Sequence, residues 1–281
     1  MIEILKAILF GVVEGVTEWL PVSSTGHMIL LDQFVKLDVS PEFWKMFEVV
    51  IQLGAIMAVV ILYWNTLWPL EYKMYGRKGE KKALVFKNGS LDMWLKIIVS
   101  CIPAAIVGVL FDDKIDELFY HPMPVALALI IVGVIFIIIE LTRGKLTPTI
   151  TSISQFTYKT AVIIGLFQLI AAIFPGTSRS GATIIGALLI GVSREIAAEY
   201  TFFLAVPVMF GASLLKIVKY IHEGVSMTGM EAAILVIGCI TAFAVSIAVI
   251  RFLMSYIKKH DFKVFGYYRI VLGILVLLIL R

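Results

Sequence analysis

Charged residues are scarce in this 281-residue chain: they make up only 16% of it, whereas hydrophobic residues make up 60%. A chain with so few charges cannot solvate most of its surface as a water-soluble globule, so that class of protein is excluded. The composition instead predicts an integral membrane protein, with the lipid bilayer as the solvent for most of its apolar residues.

Cysteine is nearly absent as well. Cys101 and Cys239 both fall inside long apolar stretches, which excludes the disulfide framework of a small secreted protein, and we interpret them as packing residues. The first apolar stretch, residues 2–20, lacks a small-residue cleavage site and carries Glu14 and Glu18. We therefore interpret it as part of the mature structure and not as a signal peptide.

Long apolar stretches are what the chain has in abundance. A helix needs roughly 20 residues to cross a hydrocarbon core of about 30 Å. Six stretches reach or approach that length and are predicted to be transmembrane spans: residues 47–69, 93–110, 124–141, 202–220, 231–257 and 262–280.

The net charge of +4 is unevenly distributed between the predicted spans. The loop after the first span is strongly basic, with Lys73, Arg77, Lys78, Lys81, Lys82 and Lys87. Because basic loops are retained on the cytoplasmic side, we interpret this loop as cytoplasmic and expect no nucleic-acid binding. The same rule places two further basic groups inside: Arg143 with Lys145, and Lys258, Lys259 and Lys263. It leaves outside an acidic loop of Asp112, Asp113, Asp116 and Glu117.

Two further apolar segments, residues 2–34 and 159–190, are each interrupted by a proline followed by serines and threonines. The six spans alternate with the charge pattern only if both segments enter and return on one side. Broken helices do this when protein or a water-filled cavity satisfies their freed backbone groups. The prediction is an all-α polytopic membrane protein with six transmembrane helices and two re-entrant helical hairpins.

The two halves of the chain also resemble each other. At a constant offset, Gly11, Glu14, Pro21 and Ser24 align with Gly165, Gln168, Pro175 and Ser178. A half with one hairpin and three spans crosses the membrane an odd number of times, so the second half is inverted relative to the first. This predicts an inverted-topology repeat of residues 1–145 and 155–281 in a single membrane domain, with the hairpin tips meeting near the midplane. Chance similarity between short apolar segments is the alternative.

The first hairpin carries two glutamates in an apolar background. Glu14 and Glu18 are four residues apart and share one face of a helix. Because each ionised carboxylate in hydrocarbon costs about 2.5–3.5 kcal/mol, the pair predicts a compensating divalent cation, Mg²⁺ or Ca²⁺, which prefers carboxylate oxygens. Glutamates that merely face water at the interface are the alternative.

Hydroxyl side chains and a histidine follow Pro21: Ser23, Ser24, Thr25 and His27. His27 lies three residues after Ser24, so the two can share a helical face, and a histidine can take a proton from a serine or give one to a leaving oxygen. A hydrogen-bonded structural histidine is the alternative.

The second hairpin combines small hydroxyl residues with one arginine: Thr177, Ser178, Arg179, Ser180 and Thr183. A helix start leaves backbone N–H groups free to face an anion, and the planar guanidinium of Arg179 fits phosphate oxygens. We therefore predict an anion site. A salt bridge from Arg179 to Glu14 or Glu18 is the alternative, and it can coexist with substrate binding.

Three stretches together resemble the bacterial undecaprenyl-diphosphatase family over essentially the whole chain. They read Glu-Gly-Val-Thr-Glu-Trp-Leu-Pro-Val-Ser-Ser-Thr-Gly-His at 14–27, Phe-Glu-Val-Val-Ile-Gln-Leu-Gly at 47–54 and Pro-Gly-Thr-Ser-Arg-Ser-Gly-Ala-Thr at 175–183. By position, the resemblance assigns Glu14 and Glu18 to the family's acidic motif, Ser24 and His27 to its Ser/His pair, and Arg179 to its phosphate-binding arginine.

The resemblance implies a multi-pass bacterial inner-membrane phosphatase that converts undecaprenyl diphosphate to undecaprenyl phosphate. This reaction recycles the carrier lipid for peptidoglycan synthesis and confers bacitracin resistance. A divalent cation, Mg²⁺ or Ca²⁺, and an active site open to the outer, periplasmic face are implied as well. The expected partners are the polyprenyl diphosphate lipid and membrane lipids, and the sequence does not determine the oligomeric state.

In the predicted mechanism the pyrophosphate lies between the hairpin tips, bound by Arg179 and by the hydroxyl residues named above, with Glu18, Ser24 and His27 catalytic. Ser24 attacks the terminal phosphorus and His27 handles the proton, although direct attack by water remains open. The main rival is a secondary transporter or lipid flippase, because inverted repeats with broken helices and a midplane anion site are also the plan of transporters. An ion channel fits poorly, since no charged ring or carbonyl filter is evident.

Overall fold

The structure is a computed structural model that describes residues 1–75, 81–142 and 147–280. Several basic residues used to predict the topology lie outside the described residues: Arg77, Lys78, Arg143 and Lys145, together with the side chain of Lys81.

The described part of the chain forms eleven α-helices and one short β-hairpin. The helices are α1 (Ile2–Thr17), α2 (Ser24–Phe34), α3 (Pro41–Leu62), α4 (Trp64–Leu67), α5 (Ser90–Phe119), α6 (Pro122–Thr142), α7 (Tyr158–Ile173), α8 (Arg179–Leu189), α9 (Arg194–His222), α10 (Gly229–Ile257) and α11 (Lys263–Ile279). The strands are β1 (Leu70–Tyr75) and β2 (Lys81–Phe86), which pair antiparallel with Leu70 opposite Phe86. This pair of strands lies in the basic loop and was not part of the all-α prediction. The loop was interpreted from its charge alone, and its strand periodicity was not considered.

Five helices among the described residues are long and apolar enough to cross a membrane: α3, α5, α6, α9 and α10. The multi-pass, all-α architecture is thereby confirmed. The count of six spans is not, because the last predicted span corresponds to α11, whose 17 residues fall short of the roughly 20 that a crossing requires.

The acidic segment predicted to be a loop is instead the last part of α5. Lys216 Nζ of α9 donates to Asp112 Oδ2 at 3.0 Å and to Asp116 Oδ2 at 3.3 Å, and Lys219 Nζ donates to Asp113 Oδ1 at 2.8 Å. These partners allow a charged stretch to remain helical, so α5 extends well past the apolar residues that predicted it.

Two helical hairpins, α1–α2 and α7–α8, stand where re-entrant segments were predicted. In each, a helix of 16 residues is followed by a turn and a helix of 11 residues. At 1.5 Å per residue the short helices are about 16 Å long, half of a bilayer core, so neither can cross alone.

The same element order recurs in the two halves, and the contacts between them are reciprocal. α1 packs on α10 as α7 packs on α5, while α3 packs on α9 and α6 on α11. The aligned glycines serve the same purpose in both halves: a Cβ on Gly11 would stand 2.7 Å from Gly238 O, and one on Gly165 would stand 2.6 Å from Ser100 O. Matched close approaches of this kind favour the predicted repeat of residues 1–145 and 155–281, which remains a prediction.

Candidate active site

The turns of the two hairpins meet at a cavity of about 190 Å³. The polar residues that line it are Glu18, Ser24, Thr25, Gln52, Gln168, Ser178 and Arg179. The apolar lining comes mainly from small or flexible residues of α5, α7 and α9: Ala104, Ala171, Ala172, Val208, Met209 and Ala212. The cavity therefore combines charged and hydroxyl groups with an apolar surface.

Glu18 joins the two hairpins at this cavity. Its Oε2 accepts a hydrogen bond from Ser24 Oγ at 2.7 Å, and its Oε1 accepts one from Arg179 Nη2 at 2.9 Å. The carboxylate is 6% exposed, so the ion pair with Arg179 is shielded from water. The alternative of a salt bridge from Arg179 to Glu18 is thus what the structure contains, within the predicted anion site.

Arg179 retains binding capacity beyond this ion pair. Its Nη1 donates to Thr201 O at 2.9 Å, whereas its Nε has no hydrogen-bond partner among the described residues. An anion that enters the cavity can use the free Nε and can compete with Glu18 for Nη2.

The serine that caps each short helix has an unusual backbone. Ser23 has φ 73° and Ser178 has φ 69°, in a region that residues with a Cβ rarely adopt. The Ser23 hydroxyl accepts from Gly26 N at 3.4 Å and the Ser178 hydroxyl accepts from Gly181 N at 3.2 Å. Such conformations cost about 1–3 kcal/mol each and are concentrated at functional sites. Here they aim the helix N-termini, which favour anions, at one cavity.

The structural counterpart of Ser178 is Ser23, which corrects the sequence alignment of Ser178 with Ser24. The second turn has one more residue between its proline and the cap, since Pro21 precedes Ser23 by two positions and Pro175 precedes Ser178 by three. The position that holds Ser24 in the first hairpin therefore holds Arg179 in the second.

Arg269 of α11 holds the two turns together, although the sequence analysis did not single it out. It is fully buried, and it donates from Nη1 to Pro21 O at 3.2 Å and from Nη2 to Gly176 O and Thr177 O, both at 2.8 Å. A single guanidinium thus ties both hairpins through backbone carbonyls. The sequence did contain a signal for this residue, because Arg269 is an arginine in the middle of a predicted apolar span. Ionisable residues at such places mark functional positions.

Glu14 lies one helical turn before Glu18 and has an unusual environment. It is 1% exposed, and neither carboxylate oxygen has a hydrogen-bond partner among the described residues. An isolated buried carboxylate is costly unless it binds a proton or a cation. Its position beside Glu18 is compatible with the predicted Mg²⁺ or Ca²⁺, which can complete its coordination with water and phosphate oxygens. The described residues contain no group of three or more His, Cys, Asp or Glu side chains that could hold a metal ion, so the cation stays a prediction.

The predicted Ser24–His27 contact is not present. The Ser24 hydroxyl donates to Glu18, while His27 Nδ1 lies 2.7 Å from Ser23 O and His27 Nε2 lies 2.7 Å from Tyr268 Oη. A carbonyl only accepts, so Nδ1 carries the hydrogen, and in the neutral ring Nε2 accepts from Tyr268. Ser24 therefore bonds to Glu18 at the end of α1 and His27 bonds to Tyr268 of α11, so no hydrogen bond joins the two residues.

Several residues predicted to bind substrate make hydrogen bonds within the two hairpins. Ser180 Oγ donates to Glu18 O at 3.2 Å, and Thr183 Oγ1 donates to Arg179 O at 2.9 Å. Ser23, Ser180 and Thr183 are nearly or fully buried, and, like Thr177, they do not line the cavity. Their hydroxyls or backbones shape the turns, whereas Thr25, Ser178 and Arg179 line the cavity. Substrate binding by all of these residues stays a prediction.

Gln168 contributes a further polar side chain to the cavity. The sequence indicated it only as the residue that aligns with Glu14. It is 2% exposed, and its Nε2 donates to Ser100 O at 3.3 Å. Its Oε1 has no partner among the described residues and belongs to a side chain that lines the cavity. An unpaired buried acceptor at this place can receive a hydrogen bond from a bound water or ligand.

Comparison with known proteins identifies the family. The sequence profile described as "Bacitracin resistance protein BacA" matches residues 7–275. A protein of Desulfitobacterium hafniense named undecaprenyl-diphosphatase is 58% identical over 279 residues, 99% of this chain and 96% of the relative. Undecaprenyl-diphosphatase 1 of Clostridium acetobutylicum is 61% identical over 276 residues, covering 98% of this chain and 97% of the relative. An undecaprenyl-diphosphatase of Enterococcus faecalis is 57% identical over 278 residues, covering 99% and 97%.

A profile match over nearly the whole chain and relatives of this similarity leave one assignment: the chain belongs to the bacitracin resistance protein BacA family.

Proposed function

We propose that this protein hydrolyses undecaprenyl diphosphate to undecaprenyl phosphate and inorganic phosphate at the cavity between the hairpin turns. The family assignment and the names of the relatives support this activity. The observation that carries the proposal is the cluster of Glu18, Ser24 and Arg179, in which a hydroxyl, a carboxylate that accepts its hydrogen bond and a guanidinium share one cavity. Phosphoryl transfer depends mainly on positioning and electrostatic stabilisation, and these groups supply both.

The first step is binding of the pyrophosphate. Arg179 and the N-terminal ends of α2 and α8 face the cavity and provide positive charge and N–H donors for phosphate oxygens. Thr25 and Ser178, which also line the cavity, add hydroxyl donors.

The second step is attack on the terminal phosphorus. Glu18 takes the Ser24 proton along the existing 2.7 Å hydrogen bond, the Ser24 oxygen forms the new bond to phosphorus, and undecaprenyl phosphate leaves. Water then cleaves the phosphoserine and releases inorganic phosphate. In the alternative course, Glu18 deprotonates a water that attacks directly while Ser24 only binds the phosphate. In both courses of the reaction, the hydrogen bond from Ser24 to Glu18 favours Glu18 over His27 as the general base.

His27 then has a positioning role. Its hydrogen bonds to Ser23 O and Tyr268 Oη connect the strained turn to α11. This arrangement supports the structural alternative for this histidine and leaves the proton transfer to Glu18.

A divalent cation, Mg²⁺ or Ca²⁺, would be held by Glu14 and Glu18. When bound, such an ion neutralises charge on the transferring phosphoryl group. The unpaired oxygens of Glu14 support this part of the proposal.

The proposed cellular setting follows from the substrate. The protein crosses the membrane several times, and we place it in the bacterial inner membrane with the cavity open to the periplasmic face. There the reaction recycles the carrier lipid for peptidoglycan synthesis and confers bacitracin resistance.

The test is phosphate release from undecaprenyl diphosphate by the purified protein in detergent, with and without a chelator. We expect Glu18→Gln to lower kcat by about 10² to 10⁴-fold, the usual contribution of a general base, and Arg179→Ala to be similarly impaired. Glu199→Gln, a half-buried glutamate outside the cavity, is the control and should retain wild-type turnover. Full activity of Glu18→Gln would contradict the proposal.

Lipid flipping is the second candidate, favoured by the reciprocal packing of the two halves around a central cavity. It differs from hydrolysis in that no bond is broken. Well-folded wild-type protein that moves the lipid across vesicles without releasing phosphate would favour this candidate.

A further inference from the structure

The cavity is too small for the whole substrate. Pockets that enclose a drug-sized ligand have volumes of about 300–1,000 Å³. This one has about 190 Å³, which suits the pyrophosphate but not a long polyprenyl chain. The chain must therefore leave the cavity, and the apolar wall formed by α5 and α9 is the side compatible with it.

Two facing stripes of residues continue outward from that wall. On α5 the residues four apart are Ala104, Gly108 and Asp112, and on α9 they are Val208, Ala212 and Lys216. Residues four apart share one helix face. The inner members, Ala104 and Val208, line the cavity. The outer members join the helices, since Lys216 Nζ donates to Asp112 Oδ2 at 3.0 Å.

The middle members leave a gap. Apart from its two chain neighbours and the helix's own nearby backbone, none of the described residues has an atom within 4 Å of the place where a Gly108 Cβ would stand. Opposite it, Ala212 both lines the cavity and is exposed on the surface. Ala212 thus connects the cavity with the surface of α9, and Gly108 leaves open space on α5 at the same level.

A buried polar group points to a ligand at the inner end of this gap. Gln168 lines the same cavity and is 2% exposed, yet its Oε1 has no partner among the described residues. Together with Arg179 and Ser24 it makes the inner end polar, while the gap is apolar. An amphiphile with an anionic head and an apolar tail matches that order.

We infer that the gap between α5 and α9, bounded by the cavity on one side and the Asp112–Lys216 ion pair on the other, is a side window that holds the first part of the polyprenyl chain and leads it into the lipid. The inference rests on the proposed function for the identity of the substrate. It makes Gly108 and Ala212 specificity-determining residues for a long-chain diphosphate.

The test is to fill the window. Gly108→Trp and Ala212→Trp are compared with Gly108→Ala, which fits the open space, and with Ile106→Trp and Leu214→Trp. Ile106 and Leu214 are each 53% exposed and lie two positions along the same helices, about 200° around the helix from the window. We expect kcat/KM for undecaprenyl diphosphate to fall at least about tenfold in the two window variants, because loss of burial for a few methylene groups reaches that factor.

The outcomes separate the window from the activity. Active wild-type protein with window variants that match the Ile106→Trp and Leu214→Trp controls would overturn the window. Inactive wild-type protein would instead refute the proposed hydrolysis.

Photo-crosslinking with radiolabelled undecaprenyl phosphate tests the window whether or not the wild-type protein is active. It also tests the window if the tryptophan variants aggregate. A benzoylphenylalanine at position 212 should label far more strongly than one at position 214. Equal labelling at the two positions would count against the window.

Discussion

At the scale of single residues, Glu18 determines how the site is organised. The sequence predicted Glu18 and Arg179 as site residues, because a carboxylate and a guanidinium are costly in an apolar segment unless they have partners. It predicted Ser24 as a hydroxyl that follows Pro21 and lies three residues before His27. It did not predict that Ser24 pairs with Glu18. That contact spans six positions across a turn whose path depends on the positive φ of Ser23, which residue spacing does not reveal.

Replacement of the Ser24 hydroxyl distinguishes the two courses of the reaction. If Ser24 is the nucleophile, Ser24→Ala should lower kcat by about 10⁴-fold or more, as for other nucleophiles that act with a base. If water attacks directly, Ser24→Ala should retain measurable turnover with a raised KM. Steady-state kinetics, together with mass spectrometry of the quenched wild-type enzyme for a phosphorylated Ser24, provides the measurement.

The guanidinium of Arg269 is expected to be irreplaceable. Arg269→Lys keeps the charge but offers a compact ammonium in place of a planar fork, so it cannot serve carbonyls of both turns in the same way. We predict that kcat falls by about tenfold or more with little change in KM, because each misaligned hydrogen bond costs on the order of 1 kcal/mol. Arg251→Lys, an exposed arginine of α10, is the control. Equal kinetics in the two variants would exclude this positioning role.

At the scale of elements, the positions of the helices could be predicted from the lengths of the apolar stretches and from the prolines. The residues at which the helices end, and the helices against which they pack, could not. α5 continues through its acidic residues because α9 supplies lysines at the matching height, and no local pattern contains that information. The extra residue in the second turn likewise shifts the counterpart of Ser178 to Ser23. Contacts between segments distant in the chain decided both differences.

Close helix approach predicts opposite effects for two glycine substitutions. A Cβ at Gly165 would stand 2.6 Å from the Ser100 carbonyl, so Gly165→Ala should force α7 and α5 apart and cost about 1–3 kcal/mol. At Gly211, inside α9, none of the described residues lies within 4 Å of a Cβ apart from the two chain neighbours and the helix's own nearby backbone. Gly211→Ala should therefore be neutral or stabilising by about 0.5–1 kcal/mol. Thermal unfolding in detergent measures both, and a Gly165→Ala protein as stable as wild type would contradict the packing.

At the scale of the whole molecule, the distribution of charge predicted which side of the membrane each loop faces. Two residues that the structure describes, one on each predicted side, allow this orientation to be tested. Asp113 is 92% exposed at the end of α5, and Lys82 is exposed in the hairpin of the basic loop. A membrane-impermeant maleimide added to intact cells should label Asp113→Cys and spare Lys82→Cys, in a background with Cys101 and Cys239 replaced by alanine. The reverse pattern would invert the proposed orientation.

The ion pair between Glu18 and Arg179 joins the two halves of the chain and also sets the resting state of the enzyme. While the two side chains are paired, the guanidinium is engaged by a carboxylate of the protein itself. In the proposed reaction an arriving pyrophosphate competes with Glu18 for Nη2 of Arg179. The protein thus carries its own competitor for the phosphate, and the strength of this one ion pair limits how tightly the substrate binds.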